Sequence, residues 1–154
     1  MSNVIFIEFQ SKRNFPEGSW LSEPDICSWE HKLPCLAIRD MQLGIWKGFV
    51  AVDGYHPFYG QCIDDLLNVP AALEIFFCVH GGLSMSGRLP AKYKKYAKNL
   101  WWIGMETSHG GDLMPLLKLE GEDVNNPTSS QTYKDLRFIR RETNKLASLL
   151  SKIQ

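Results

Sequence analysis

Two segments of the chain combine a histidine with a glycine pair, and each follows an apolar run. The first is Val79-His80-Gly81-Gly82-Leu83-Ser84, and the second is His109-Gly110-Gly111-Asp112. A glycine pair lets backbone N–H groups approach a ligand closely and form a concavity that binds anions. Beside a histidine or a serine, such a concavity suits a phosphate group. Glycine pairs also mark tight turns, so a purely structural reading stays open.

Basic and aromatic residues alternate after the first of these segments. Five cations lie within a stretch that contains no acid, and they are Arg88, Lys92, Lys94, Lys95 and Lys98. Two tyrosines interleave with these cations, and two adjacent tryptophans follow them. Cations hold phosphate while aromatic rings stack on a base, so this mixture indicates nucleotide binding. The alternative is a solvated basic face above tryptophans of the core.

These patterns predict one ligand site with a polar floor, a stacking ring and cations that neutralise phosphate. Trp101 or Trp102 would stack, and Arg140 of the last predicted element would join the cations. The predicted ligand-binding residues are His80, Gly81, Gly82, Ser84, Arg88, Lys92, Lys95, Trp101, Trp102, His109, Gly110, Asp112 and Arg140.

A metal-dependent hydrolase is the alternative, and it would bind zinc or manganese. Its ligands would be His56, His80, His109 and Asp112, since imidazole and carboxylate are common ligands of these metals. Three of these residues lie where a predicted strand gives way to a loop. No H-x-H or H-x-x-x-H spacing supports a metal, and histidines that bond loop backbone are the simpler interpretation. The leading hypothesis therefore expects no cofactor.

Motifs of nucleophilic or nucleotide-hydrolysing enzymes are missing from the sequence. It contains no G-x-S-x-G, no P-loop and no G-x-G-x-x-G. The sequence leaves enzymatic activity open and favours a binding protein.

Composition predicts a single globular domain over residues 1–154. The hydrophobic share is 44%, and 17 basic residues balance 17 acidic ones, so bulk charge does not select a partner. Four cysteines without C-x-x-C spacing indicate reduced thiols in a cytoplasm. No signal-peptide pattern and no apolar run of membrane-spanning length is present, so we expect neither a secreted nor a membrane protein.

Periodicity predicts an α+β fold in which a mainly antiparallel sheet carries a long carboxyl-terminal helix on one face. Segment 4–40 should hold short strands and a loop, with strands at 4–9, 26–30 and 34–39. The central sheet should span 45–113, with strands at 45–52, 73–80 and 100–107. A mobile connector is expected at 114–130, followed by a helix at 132–152 that a Thr132-Tyr133-Lys134-Asp135 capping box begins.

Alternation along the last strand sends its two tryptophans to opposite faces. We expect one of them beneath the helix and the other on the face of Gly104, where a ring or a ligand has room to approach. The sequence does not decide which tryptophan is which.

The order of motifs resembles that of a family of small uncharacterised proteins encoded by bacteria and their tailed phages. The resemblance covers residues 48–150 and runs through His56-Pro57, His80-Gly81-Gly82, Trp101-Trp102 and His109-Gly110-Gly111-Asp112 to Tyr133-Lys134-Asp135-Leu136. In the family an aspartate and a cysteine end the aromatic strand, whereas Glu106 and Thr107 stand here, which argues against a catalytic thiol. The resemblance brings no established activity.

The leading hypothesis is a non-enzymatic, phage-encoded protein in the cytoplasm of a bacterial host. It would sequester a phosphate-bearing ligand, such as a nucleotide or cyclic oligonucleotide of host defence signalling. Neither a membrane nor a nucleic acid is an expected partner, and homo-oligomerisation is left open. A protein-binding inhibitor of a host factor is a further alternative, for which the sequence carries no signature.

Overall fold

The computed structural model describes residues 5–93, 95–96, 99–117 and 131–153. Its sheet is built from six strands: β1 (Phe6–Glu8), β2 (Ile26–His31), β3 (Leu33–Arg39), β4 (Trp46–Val52), β5 (Met85–Gly87) and β6 (Trp101–Glu106). They are arranged in the order β1-β2-β3-β4-β6-β5, and every neighbouring pair is antiparallel. The strands predicted at 26–30, 34–39, 45–52 and 100–107 are confirmed.

Among the described residues, three α-helices accompany the sheet: α1 (Ile63–Leu66), α2 (Pro70–Phe76) and α3 (Leu136–Ser151). Short 3-10 helices occupy Ser19–Ser22 and Ala91–Tyr93. The long helix α3 packs across β3 and β4. This arrangement confirms the predicted α+β fold with a carboxyl-terminal helix on one face of the sheet.

Helix α3 lies close to the sheet because its buried residues recur at helical spacing and meet a glycine of β4. Ile139, Leu146 and Leu150 are fully buried. A Cβ atom at Gly48 would lie 2.3 Å from Thr143 Oγ1, so the helix approaches nearer than any larger residue permits.

The predicted beginning of this helix is wrong by four residues. Asp135, not Thr132, is the N-cap, and its side chain accepts a hydrogen bond of 2.8 Å from the N–H of Phe138. Glu23 caps the helix from outside, since its Oε2 accepts from the N–H of Leu136 at 2.7 Å. Sequence periodicity indicates a helix but not this long-range cap.

A buried charge network ties the amino-terminal loop to the sheet and to the segment before α3. Asp25 is fully buried and accepts from Arg39 Nε at 2.7 Å and from Lys12 Nζ at 2.7 Å. Arg39 also donates to Glu23 at 3.2 Å and to the hydroxyl of Tyr133 at 3.0 Å. Two cations and two carboxylates therefore balance one another inside the protein.

The strand predicted at 73–80 is wrong, because this segment begins as helix α2 and ends in a turn. Pro70 stands in the first turn of the helix, where its missing N–H costs nothing. Ala72, Ile75 and Val79 are the buried residues, a helical spacing, whereas Leu73 and Phe77 are 41% and 77% exposed. A short apolar run does not by itself distinguish a strand from a helix.

Residues of the predicted connector 114–130 fall mostly outside the described part of the chain. Its first four residues are described, and they pack on the domain. Pro115 is buried and the N–H of Leu116 donates to the carbonyl of Leu43 at 3.0 Å. No helix among the described residues is long and apolar enough to cross a membrane.

The sheet is covered on both faces, and the two tryptophans of β6 lie on different ones. Trp102 is 2% exposed and packs with Phe49 and Tyr93 on the face away from α3. Trp101 packs, half-buried, with the core on the α3 face. The predicted alternation is confirmed, and the ring that lies against Gly104 belongs to Phe49, 2.6 Å from where a Cβ would be.

Candidate functional site

The two histidine-glycine turns lie together and share the buried carboxylate of Asp112. His80 Nε2 is 2.8 Å from Asp112 Oδ2, and the N–H of His109 donates to the same oxygen at 3.0 Å. Lys134 Nζ lies 3.3 Å from Asp112 Oδ1. We call His80, His109, Asp112 and Lys134 the Asp112 cluster. The structure thus joins two segments that are 29 residues apart in the chain.

Hydrogen bonds keep Asp112 ionised although it is 1% exposed. Burial by itself would raise the pKa of this carboxyl group, but the donors His80, His109 and Lys134 together lower its pKa below the ordinary value. His80 Nε2 therefore carries the proton of the hydrogen bond to Asp112. The backbone N–H of His80 donates to Glu142 of α3 at 2.9 Å, which anchors the cluster to the helix.

The glycines of these turns serve packing and backbone conformation. Gly81 and Gly82 have φ of 66° and 83°, in the left-handed region that favours glycine. A Cβ on Gly81 would lie 2.0 Å from the ring of His109, and one on Gly82 would lie 2.4 Å from the ring of Phe76. Side chains of the protein therefore fill the space that a ligand would need at Gly81 and Gly82. Gly110, in contrast, is exposed, and a Cβ built on it would meet no atom of the described residues within 4 Å.

His56 does not join the other two histidines, so the predicted metal-ligand set does not come together. Its Nδ1 accepts from the N–H of Phe58 at 3.0 Å, and its Nε2 lies 2.9 Å from the carbonyl of Leu150. His56 contacts α3 at Leu150, whereas His80 contacts it at Glu142. These two helix residues are separated by about 12 Å along the helix at ~1.5 Å per residue. Within the described ranges, no group of three or more histidine, cysteine or acidic side chains is placed to hold a metal.

The other predicted ligand residues are distributed over separate places. Arg88 donates to the hydroxyl of Tyr59 at 3.1 Å, and Trp101 Nε1 donates to the carbonyl of Gln61 at 3.0 Å. Ser84 is half-buried after the first turn.

Three predicted cations stand apart from the Asp112 cluster as well. Lys95 pairs with Glu8 of β1, and Arg140 stacks over Trp29 on the flank of α3 that faces β2. Lys92 belongs to the opposite face of the sheet, where it lies over Tyr93. Lys94 and Lys98 lie outside the described residues. The prediction that all these ligand residues lie in one pocket is therefore wrong.

Part of the predicted set lines a cleft on the face of the sheet away from α3. The cleft has a volume of about 520 Å³, within the range of small-molecule sites. We call it the aromatic cleft, and define it by the buried rings of Phe49, Tyr93 and Trp102, the thioether of Met85, and the cations Lys47, Arg88 and Lys92. The segment 85–93 forms one wall, and strands β3, β4 and β6 form the floor.

Trp102 closes the cleft from below and offers no open ring face, because only 2% of it is exposed. Stacking by Trp102 is therefore not built into this site. Half-buried Met41, Met85 and Leu89 supply accessible apolar surface, and Tyr93 adds little because it is 9% exposed. A polarisable thioether beside aromatic rings adapts to a flat ligand.

The charge of the aromatic cleft is positive. Lys47 pairs with Asp40 at 3.2 Å. Burial would raise the pKa of Asp40, but the N–H groups of Gln42 and Leu43 together with Lys47 lower it. Arg88 and Lys92 have no carboxylate partner within the described part of the chain, and they leave two cations for an anion.

Sequence reasoning found Arg88, Lys92 and Trp102 of the cleft and missed Lys47, Phe49 and Met85. Alternation along β4 carries the missing signal, since Lys47 and Phe49 share the face that α3 does not cover. Met85 had no such signal, because β5 is only three residues long and no strand was predicted there.

Comparisons with protein-family models, with curated proteins and with solved structures give no match to this chain.

Proposed function

We propose that this chain is a non-enzymatic binding protein for a phosphate-bearing ligand with a flat base, a nucleotide or cyclic oligonucleotide. The aromatic cleft is its site. The observation that carries the proposal is that Arg88 and Lys92 stand without carboxylate partners in the described structure, beside a cleft floored by Phe49, Tyr93 and Trp102. Cations for phosphate and an apolar wall for a base are the two parts that nucleotide recognition needs.

The Asp112 cluster supports binding indirectly and performs no reaction in this proposal. Its carboxylate accepts from three internal donors, and His80 joins the first turn to α3 through Glu142. Asp40, a carboxylate that lines the aromatic cleft, is paired with Lys47. By analogy with other small phage proteins, we propose sequestration of a signalling nucleotide of host defence, inside a bacterial cell, as the biological role.

Calorimetry with the purified protein tests the proposal directly. Cyclic dinucleotides and nucleoside monophosphates should bind saturably, whereas the corresponding nucleosides and inorganic phosphate alone should bind more weakly. Chromatography of the ligand after incubation should recover it unchanged. Flat titrations with every phosphate-bearing compound, or steady conversion of the ligand, would overturn the proposal.

Lys92→Ala locates the site within the molecule. Lys92 is exposed, so its removal leaves the fold intact while deleting one cation from the rim. A hydrogen bond to a charged group contributes about 1.5–3 kcal/mol, so affinity should fall by roughly tenfold or more. Lys152→Ala, an exposed lysine at the end of α3, is the matched control and should bind as the unmodified protein does. An equal loss of affinity in both variants would indicate that the ligand is attracted by the overall positive charge and not by a defined site.

The protein-binding alternative has one observation in its favour. Strand β1 is an edge of the sheet, and its residues Phe6 and Ile7 are 63% and 52% exposed. An exposed apolar edge strand can accept a strand from another protein. Capture of a host protein that Ile7→Lys abolishes would favour this function. Equal capture by the unmodified protein and by Ile7→Lys would exclude β1 as the binding edge.

A further inference from the structure

A second concentration of cations lies at the beginning of α3, on the face of the sheet opposite the aromatic cleft. Arg137, Arg140, Arg141 and Asn144 line a cavity of about 540 Å³ together with Glu23, Asp135 and Leu136. We call it the arginine cavity. It is a separate place from the aromatic cleft, and no residue lines both.

Hydrogen-bond donors prevail among the groups of this cavity that are not already engaged. Asn144 Oδ1 accepts from Trp29 Nε1 at 2.7 Å, so the amide NH₂ of Asn144 remains as a donor. Arg140 Nε is buried and has no hydrogen-bond partner within the described residues. A guanidinium group has donors only, so the three arginines add no acceptor.

The carboxylates around the cavity serve the protein itself. Glu23 Oε1 accepts from Arg39 and from Tyr133, while its Oε2 accepts from the N–H of Leu136. Asp135 Oδ1 caps α3 through the N–H of Phe138. These bonds also occupy N–H groups of the first helical turn, so recognition would depend on the arginine side chains and not on the helix end.

The positive charge of the cavity is not neutralised locally. Arg137, Arg140 and Arg141 form no ion pair with any carboxylate in the part of the chain that the structure describes. Glu23 is already matched by Arg39, so the three arginines face only the charge of Asp135. An excess of about two positive charges in a concave site favours a dianion.

Arg140 is held in place before any ligand arrives. Its guanidinium carbon lies 5.2 Å from the ring centroid of Trp29, and Trp29 is itself fixed by its bond to Asn144. A pre-organised guanidinium loses little entropy on binding and matches the oxygens of a phosphate in a two-point contact. We propose that the arginine cavity binds a phosphate monoester dianion through Arg140, Arg137 and Arg141, as a site distinct from the aromatic cleft.

Nitrogen-edited NMR of the arginine side chains tests this site on the full chain. Addition of inorganic phosphate should shift the Arg140 Nε–H resonance saturably, while potassium chloride at equal ionic strength should not. Free phosphoserine and a phosphoserine peptide then distinguish the source of the phosphate, and saturable binding of either supports the site. Equal shifts with chloride and phosphate, or no saturation with any of these probes, would overturn the proposal.

Variants separate the arginine cavity from the aromatic cleft and from folding defects. Arg140→Lys keeps the charge but loses the two-point contact, and phosphate affinity should fall about tenfold. Arg137 and Arg141 are exposed, so Arg137→Ala with Arg141→Ala should weaken phosphate binding by a similar factor at an unchanged melting temperature. Lys92→Ala should leave this affinity as it is. The proposal is wrong if the arginine variants bind phosphate normally, or if Lys92→Ala weakens it as much as they do.

Discussion

Asp112→Asn should destabilise the protein strongly at neutral pH, because the carboxylate is the acceptor for three donors from separate parts of the chain. His80 Nε2, the N–H of His109 and Lys134 Nζ lie within 2.8–3.3 Å of its oxygens. An asparagine retains one acceptor oxygen and turns an NH₂ group toward the remaining donors. Loss of two charge-assisted bonds at a buried site costs about 3–5 kcal/mol.

Thermal unfolding followed by circular dichroism measures this loss. A destabilisation of about 3–5 kcal/mol lowers the melting temperature of a protein of this size by roughly 6–20 °C. Asp64→Asn is the control, since Asp64 is exposed on α1 and should change stability by less than about 0.5 kcal/mol. Equal melting temperatures for both variants would refute the assignment of Asp112 as the anchor of the two turns.

The difference in stability between the unmodified protein and Asp112→Asn should depend on pH with a definite sign. The folded protein lowers the pKa of Asp112, so its stabilising contribution is complete above the unfolded pKa of about 3.9 and is lost as pH falls through the folded value. The gap between the unmodified protein and Asp112→Asn should therefore shrink as pH falls below about 4. A gap that stays the same from about pH 5 down to about pH 2 would contradict the ionised state.

Two further substitutions test how α3 packs on the sheet and how its first turn is capped. Gly48→Ala would put a methyl group 2.3 Å from Thr143 Oγ1, and should cost about 1–3 kcal/mol by chemical denaturation, whereas Gly54→Ala meets open space and should be nearly neutral. Asp135→Ala removes the acceptor for the N–H of Phe138 and should cost about 1 kcal/mol, and an unchanged denaturation midpoint would place the cap elsewhere.

The elements of the fold could be predicted from sequence where the residue pattern is compatible with only one type of secondary structure. Residues 45–52 are rich in β-branched and aromatic side chains, and β4 forms there. The apolar spacing behind Asp135 likewise predicts α3. Segment 73–80 satisfies both alternation and helical spacing, and the decision falls to Pro70 and to burial of Ala72 and Ile75, which depends on tertiary contacts.

The candidate site was only partly predictable for a related physical reason. The sequence assigned His80, His109 and Asp112 to one proposed site but left open whether the histidines converge. The structure brings the two turns together at Asp112, where polar groups at loop ends find partners. Alternation along β6 predicted that Trp101 and Trp102 lie on opposite faces of the sheet, but not which of the two faces α3 covers. Nor did the sequence show that Lys47 shares a cleft with Lys92. The order of the strands and the face on which α3 packs decide both points, and the sequence alone provides neither.

The central claim is that the ligand site is the aromatic cleft and not the pair of histidine-glycine turns. NMR titration of the labelled protein with a cyclic dinucleotide tests it most directly. Saturable shifts are expected at Lys47, Met85 and Lys92, with the resonances of His80 and His109 unchanged. Shifts centred on His80 and His109, with the cleft residues unaffected, would contradict it.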